Sequence, residues 1–179
     1  MKNMKTIAFI IGFTALQLTC FSQGDNLKPH YIGEKFGGGI IFYIDGTGQH
    51  GLISADKDQS GKMFWYDWWI SERVATDISD GMPNTKAIVK KLGLNTAAGM
   101  CDSLTLNGYN DWYLPSIKEL SLMYNQLMKI GGFSLAIYIS STQDVKKLSK
   151  CYAVDFRKSG REKLVKVRSD FFVRAIRKF

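Results

Sequence analysis

The sequence contains few of the residues that carry catalysis or hold metals. Its 179 residues include two histidines and three cysteines, and neither an HExxH nor a CxxC motif is present. His30 lies in a polar segment and His50 at the edge of a predicted hairpin, so neither is expected to act as a general base. Cys101 has no neighbouring histidine to activate it, and the glycines at 37–39 precede a predicted strand instead of a phosphate-binding helix. We therefore do not expect an enzyme or a bound cofactor.

Long apolar runs are scarce as well. The one marked example, Thr6 to Leu18, is shorter than the about 20 residues that a membrane-spanning helix needs. It follows Lys2 and Lys5, a pattern typical of a secretory signal peptide, and we expect cleavage after Ser22. We expect the protein to be exported, to the periplasm, the outer surface or the medium, with no transmembrane segment after cleavage.

Two alternatives for this leader stay open. Lipidation at Cys20 would anchor the protein, although Gln17 and Thr19 fit a lipobox poorly, and an uncleaved anchor is the other alternative. After the leader at 1–22 we expect a short linker, 23–30, and one domain over 31–179. The 45% hydrophobic and 13% aromatic content favours a globular domain over disorder.

The predicted elements come in the order strands, helices, strands, which indicates an α+β fold. They are an N-terminal β-hairpin (39–44 and 50–55), two central helical segments and C-terminal antiparallel strands (136–140, 151–156, 163–167 and 171–177). The first helical segment begins at Asn84 or Thr85 with a helix that we expect to end at Gly93, followed by a further helical stretch to 104, and the second is 117–129.

The segment 108–120, GYNDWYLPSIKEL, is the most informative part of the chain. Asp111 lies in a predicted turn, and Pro115 keeps the residue before it out of the helical region. Ser116 then predicts a helix N-cap, with Glu119 as its capping-box partner three residues later.

Several motifs together resemble the C-terminal domain of bacterial collagen-like adhesins, an exported family with a C-type-lectin-like fold. They are, in order, GGGIIFY at 37–43 with GLIS at 51–54, DQS at 58–60, NT at 84–85 with IV at 88–89, the segment 108–120, YISST at 138–142 and FVRAIR at 172–177. The resemblance covers nearly all of the chain after the leader. It implies a lectin-like fold in which Trp112 and Arg174 are structural, and it implies binding to sulfated glycans and surface attachment without catalysis.

The sequence departs from that family at two places. Ile139 stands where the family usually has tryptophan, and Cys151 and Tyr152 stand where a small residue followed by tryptophan is common. Both changes remove large aromatic side chains, so an aromatic ligand surface in this half is in doubt.

Positive charge is concentrated at the C-terminal end. From Lys146 onward there are twelve basic and three acidic residues, a net charge of +9. We expect Lys163, Lys166 and Arg168 to contact an anionic partner such as a polysaccharide, lipid head groups or acidic surface polymers. Nucleic acid is not expected in an exported protein, and a solvated strand face without a specific partner is the alternative.

The aromatic run at 64–69 is the second candidate for ligand binding. In a strand, Trp65 and Trp69 would share one face and Tyr66 and Trp68 the other. At least one face is then expected in the core, and an exposed face could stack on sugar rings. Trp65, Trp68 and Trp69 are therefore candidate ligand-binding residues.

A calcium site is a weaker candidate. Asp56, Asp58 and Ser60 match the start of an EF-hand loop, and Asp67 falls at its twelfth position. A strand, not a helix, precedes this loop, and the resemblance gives DQS a structural role. The turn at 110–112 is a further, weaker calcium candidate.

Cys101 and Cys151 could pair in an exported protein. The alternative is two buried thiols, with Cys101 as a small apolar residue in a helix.

These patterns predict an exported binding module for glycans, with anionic polysaccharide favoured. A structural or assembly protein of the cell envelope that binds a protein partner is the alternative. An enzyme related to lectin-fold sulfatase-modifying proteins is a third hypothesis and would need a reactive cysteine or a metal.

Overall fold

The computed structural model describes residues 28–67 and 70–179. The predicted signal peptide, the linker up to residue 27, and Trp68 and Trp69 lie outside the described residues. The strands are β1 (Lys35–Phe36), β2 (Gly39–Ile44), β3 (Gly51–Ser54), β4 (Ser60–Met63), β5 (Ile137–Gln143), β6 (Lys150–Asp155), β7 (Arg161–Lys166), β8 (Phe171–Val173) and β9 (Ile176–Lys178). The helices are α1 (Gly81–Leu92), α2 (Ala97–Asp102), α3 (Ile117–Asn125) and α4 (Leu127–Ile130). The predicted α+β class is confirmed.

The strands form two sheets, of order β1-β2-β3-β9 and β4-β8-β5-β6-β7. The prediction of purely antiparallel C-terminal strands is wrong at one pairing, because β5 and β8 are parallel. The single closing strand predicted at 171–177 is two strands. The chain leaves the larger sheet after β8 and joins the smaller one as β9, with Arg174 and Ala175 between them.

The opening hairpin is confirmed, with Ile41 opposite Ile53. The first helix begins earlier than predicted: it starts at Gly81, and the side chain of Asp80 accepts the N–H of Met82 as its N-cap. Pro83 lies within the first turn, where a helix tolerates proline because the missing N–H has no intrahelical acceptor. The helix ends, as predicted, at Gly93, which has a φ of 84°.

The capping box at the start of α3 is confirmed: Ser116 accepts the Glu119 N–H, and Glu119 accepts the Ser116 N–H. The helix is shorter than predicted, because the chain breaks at Gln126 into α3 and α4 before it stops at Gly131. Helix α3 packs on β5, β6 and β2, and α1 packs on β5 and α2.

The core consists of two clusters of buried side chains. Trp112 belongs to the first cluster and the next residue, Tyr113, to the second; likewise Tyr138 belongs to the second and Ile139 to the first. An extended chain directs consecutive side chains to opposite sides, so each of these segments lies between the two clusters. Trp112 is 1% exposed, which confirms it as a core residue. Within the described ranges, no helix is both long enough and apolar enough to cross a bilayer.

Candidate functional site: a basic strip on the outer strand

Strand β7 lies at the edge of the five-stranded sheet and pairs with β6. In this register Lys150 lies directly opposite Lys166. Like charges in directly opposite positions of an antiparallel pair destabilise a sheet. Lys166 is exposed and Lys150 half-buried, and within 28–67 and 70–179 neither ammonium group forms an ion pair with a carboxylate. The fold therefore places two uncompensated positive charges side by side.

The loop before β6 adds two further lysines. One carboxylate oxygen of Asp144 accepts the backbone N–H groups of Lys146 and Lys147, at 3.1 and 2.5 Å, and the other accepts the hydroxyl of Tyr152 at 3.0 Å. The backbone N–H of Asp144 donates to the carbonyl oxygen of Lys150. These bonds fix the loop beside the paired lysines, with Lys146 and Lys147 exposed.

The aromatic segment lies against the end of the same strand. The backbone N–H groups of Trp65 and Tyr66 both donate to the carbonyl oxygen of Val167, at 3.0 and 3.2 Å. Val167 follows Lys166 and precedes Arg168, which is exposed. The aromatic segment and the basic C-terminal segment, about 100 positions apart in the sequence, therefore meet at the end of β7. We call Lys146, Lys147, Lys150, Lys166 and Arg168 the basic strip.

The prediction for Trp65 as a ligand platform is wrong. The Trp65 side chain is 1% exposed and packs in the first core cluster. Residues 64–67 are not in a strand, so the predicted alternation of faces does not apply. Tyr66 is half-buried, and its side chain also packs against the first core cluster, so only its backbone is shown to meet the end of β7. The predictions for Trp68 and Trp69 lie outside the described residues.

Lys163 does not belong to the basic strip. It lies opposite Ala153, on the other face of the sheet from Lys166. Its ammonium group lies 2.7 Å from the carboxylate of Asp155, which Arg157 also contacts at 2.7 Å. These two cations hold the pKa of Asp155 well below its ordinary value. Lys163 and Arg157 thus share one carboxylate on the opposite face from the basic strip, and the prediction of Lys163 as a ligand contact stays a prediction.

Glu119 does more than complete the capping box. Its carboxylate accepts the backbone N–H groups of Gly81 and Ser116, each at 2.8 Å, and the hydroxyl of Tyr113 at 2.8 Å. Burial raises the pKa of Glu119, and these hydrogen bonds oppose that shift. A Cβ on Gly81 would lie 2.3 Å from the carbonyl oxygen of Leu114, so glycine is required for the helices to approach. One carboxylate thus joins the starts of α1 and α3.

The predicted turn and closing strand are tied together by ion pairs. Arg177 donates from Nε and Nη2 to the two carboxylate oxygens of Asp111, at 2.6 and 2.8 Å, and its guanidinium lies 4.0 Å from the centre of the Tyr109 ring. This bidentate pair lowers the pKa of Asp111. The role of Asp111 is structural, in agreement with the sequence.

The calcium hypothesis fails at Asp58. Its carboxylate is bound to the buried guanidinium of Arg174, with Nε at 2.9 Å, and it also accepts the hydroxyl of Tyr138 at 2.8 Å. Asp56 and Asp67 are exposed, and Ser60 begins β4, so this loop is not an EF-hand loop. Among the described residues, no three Asp, Glu, His or Cys side chains are grouped closely enough to hold a metal ion.

Cys101 and Cys151 are both free and fully buried, so the disulfide considered from the sequence is not formed. Each packs as a small apolar residue in the first core cluster. Burial raises the pKa of both thiols, which disfavours the thiolate form.

Lys150 is not among the ligand contacts predicted from the sequence. The turn formers at 157–161, RKSGR, indicate that β6 and β7 form a hairpin, but the partner of Lys166 depends on the exact register. The turn and the burial of alternate residues set that register, so it cannot be predicted from the composition.

Comparison with known proteins gives a distant structural similarity. No model of a protein family matches the sequence, and no curated protein matches it. The structure is similar to the crystal structure of a fimbrial protein from Bacteroides ovatus, with 16% sequence identity and a TM-score of 0.45. The match covers 70% of this chain and 35% of the fimbrial protein.

Proposed function

We propose that this chain is an exported binding module, with a C-type-lectin-like fold of the collagen-like adhesin type, that binds an anionic polysaccharide through the basic strip. The observation that carries the proposal is the direct opposition of Lys150 and Lys166 on the outer strand pair of the sheet, with Lys166 exposed and Lys150 half-buried. Such a pair is unfavourable in the free protein and becomes favourable when an anion lies between the ammonium groups.

Sulfate and carboxylate groups on a polysaccharide have the charge and spacing freedom to meet several of these cations. Arg168 can bind an oxyanion in a bidentate way, while the lysines act as point charges. A row of several cations at the end of a strand suits an extended polyanion better than a single inorganic anion.

The alternative for the strip is protection of the sheet edge. Lysines on an outer strand prevent edge-to-edge association of sheets. That role requires positive charge but no particular arrangement, so it predicts no difference between these lysines and others elsewhere on the surface. The two explanations can therefore be separated by charge-matched variants.

Heparin-column retention of the purified protein tests the proposal. The wild type should elute above about 150 mM salt, where the Debye length is about 8 Å. The variant Lys150→Gln/Lys166→Gln/Arg168→Gln should elute much earlier. The control Lys35→Gln/Lys57→Gln/Lys90→Gln removes the same charge from exposed sites outside the strip and should stay close to wild type. Wild-type elution below about 150 mM, or equal losses in both variants, would overturn the proposal.

A second candidate is a non-catalytic assembly protein of the cell envelope. Met128 is 93% exposed and Leu135 is 80% exposed, and both line a groove of about 260 Å³ together with Leu127, Phe133 and Phe156. Exposed apolar residues around a groove favour a protein partner. This candidate predicts capture of an envelope protein that is lost in the variant Met128→Ser/Leu135→Ser, together with no signal on a glycan array.

A further inference from the structure

A cleft lies between the opening hairpin, strand β9 and the starts of helices α1 and α3. Its volume is about 580 Å³, within the range of small-molecule sites. It shares no residue with the basic strip. From its walls and rim we infer that this cleft is a second ligand site, which binds a neutral pyranose ring such as a mono- or disaccharide.

One wall of the cleft is apolar and preformed. It contains Tyr43, which is 39% exposed, and Leu122, which is 38% exposed. The backbone beside this wall is fixed, because Gly51 and Phe179 exchange two backbone hydrogen bonds of 3.2 Å. The C–H face of a pyranose can stack on such a wall without rearranging it.

The rim of the cleft carries both signs of charge. Lys118 and Lys178 face Asp45 and Asp80, and Lys178 lies 2.7 Å from Asp80. Because acids and bases are nearly balanced, the cleft does not favour an anion or a cation. One oxygen of Asp45 accepts two hydrogen bonds from Thr47, which fix the orientation of this carboxylate. Neighbouring hydroxyl groups, each both donor and acceptor, can satisfy such a mixed rim.

The rim residues are held in place from below. Asp80 caps α1 through the N–H of Met82, and the backbone N–H of Lys118 donates to the carbonyl oxygen of Ile78. Glu119 joins the two helix starts on which these residues lie, as described above. A ligand therefore meets groups whose backbone is already ordered, which reduces the entropy lost on binding.

Amide chemical-shift titration of the purified protein with methyl glycosides of glucose, galactose, mannose and N-acetylglucosamine tests the inference. At least one glycoside should give saturable shifts at Tyr43, Gly51 and Lys178, and the shifts should be insensitive to salt. Tyr43→Ala should weaken the affinity by about 2- to 12-fold, as expected from loss of one aromatic contact. Tyr31→Ala removes a tyrosine that is 60% exposed outside the cleft and should leave the affinity unchanged.

Lys118→Gln provides a second variant at an exposed site, in case Tyr43→Ala perturbs the hairpin. It should also weaken binding. Absence of saturable shifts with all four glycosides, or equal affinities of wild type, Tyr43→Ala and Lys118→Gln, would overturn the inference. The basic-strip variant should bind the same glycoside as wild type, so failure on heparin and failure here are separate results.

Discussion

The ion pair between Asp58 and Arg174 offers the sharpest prediction about stability. The Arg174 side chain is 0% exposed, and Asp58 supplies its only carboxylate within the described residues. The remaining contacts of the guanidinium are the carbonyl oxygens of Ala55 and Gly132 and the face of the Phe133 ring, at 4.0 Å from its centre. Asp58→Ala leaves this cation buried without a counter-charge.

Removing one partner of a buried ion pair costs about 3–5 kcal/mol. A domain of this size is stable by about 5–15 kcal/mol, so the variant loses a large part of its stability. The corresponding fall in melting temperature is about 6–20 °C. The hydroxyl of Tyr138 also loses its acceptor on Asp58, which adds to the loss.

Urea unfolding followed by circular dichroism measures the effect, with two controls. Asp56→Ala removes an exposed carboxylate two residues away and should change the free energy of unfolding by less than about 0.5 kcal/mol. Asp58→Ala/Arg174→Met removes both charges and should be more stable than Asp58→Ala alone. A loss below about 1 kcal/mol in Asp58→Ala, the value typical of a surface pair, would refute the reasoning.

Three further predictions concern the sheet and the core. Arg157 and Lys163 lower the pKa of Asp155 from 3.8, so they contribute stability above about pH 3.8 that is lost as the pH falls below it. Asp155→Asn should remove that part of an acid-unfolding curve, and an unchanged curve would contradict this explanation. Cys101 and Cys151 should resist maleimide labelling in the folded protein and react after unfolding in urea, because burial raises their pKa; mass spectrometry that finds either one labelled in the folded state would count against the fold. Lys166→Thr should raise the free energy of unfolding by about 0.2–1 kcal/mol by removing the repulsion from the opposite lysine, while it weakens heparin retention. A loss of stability would show that the two ammonium groups do not repel each other.

Local features of this fold could be predicted from the sequence. The hairpin at 39–54, the capping box of Ser116 and Glu119, and the end of α1 at Gly93 each depend on residues close together in the chain. Such patterns specify backbone geometry directly, through alternation of burial, cap hydrogen bonds and positive φ.

Contacts between distant segments could not be predicted in the same way. Glu119 accepts a hydrogen bond from Gly81, 38 residues away, and Arg174 pairs with Asp58 across 116 residues. In the sequence alone, Asp56, Asp58 and Ser60 match the start of an EF-hand loop, which makes a calcium site a candidate there. Once the sheets have formed, Arg174 is the partner of the Asp58 carboxylate.

The candidate site contains both a feature that could be predicted from the sequence and one that could not. The excess of positive charge after Lys146 was visible in the composition, but which lysines are compensated depends on strand register. Lys163 and Lys166 are three residues apart and lie on opposite faces, one paired with Asp155 and one opposite Lys150. The alternation of faces considered for the aromatic segment requires a strand, but residues 64–67 are not in one, and the backbone N–H groups of Trp65 and Tyr66 bond to the end of β7.

Mapping the contact surface of a defined ligand shows whether an anionic polysaccharide binds at the basic strip. The measurement is an amide chemical-shift titration of the purified protein with a heparin-derived tetrasaccharide at about 150 mM salt, where weak surface electrostatics are screened. We expect saturable shifts of amide signals centred on Lys150, Lys166, Arg168 and Tyr66. The substitution Lys150→Gln/Lys166→Gln should abolish these shifts. Shifts centred on another surface, or spread over all exposed lysines without saturation, would contradict it.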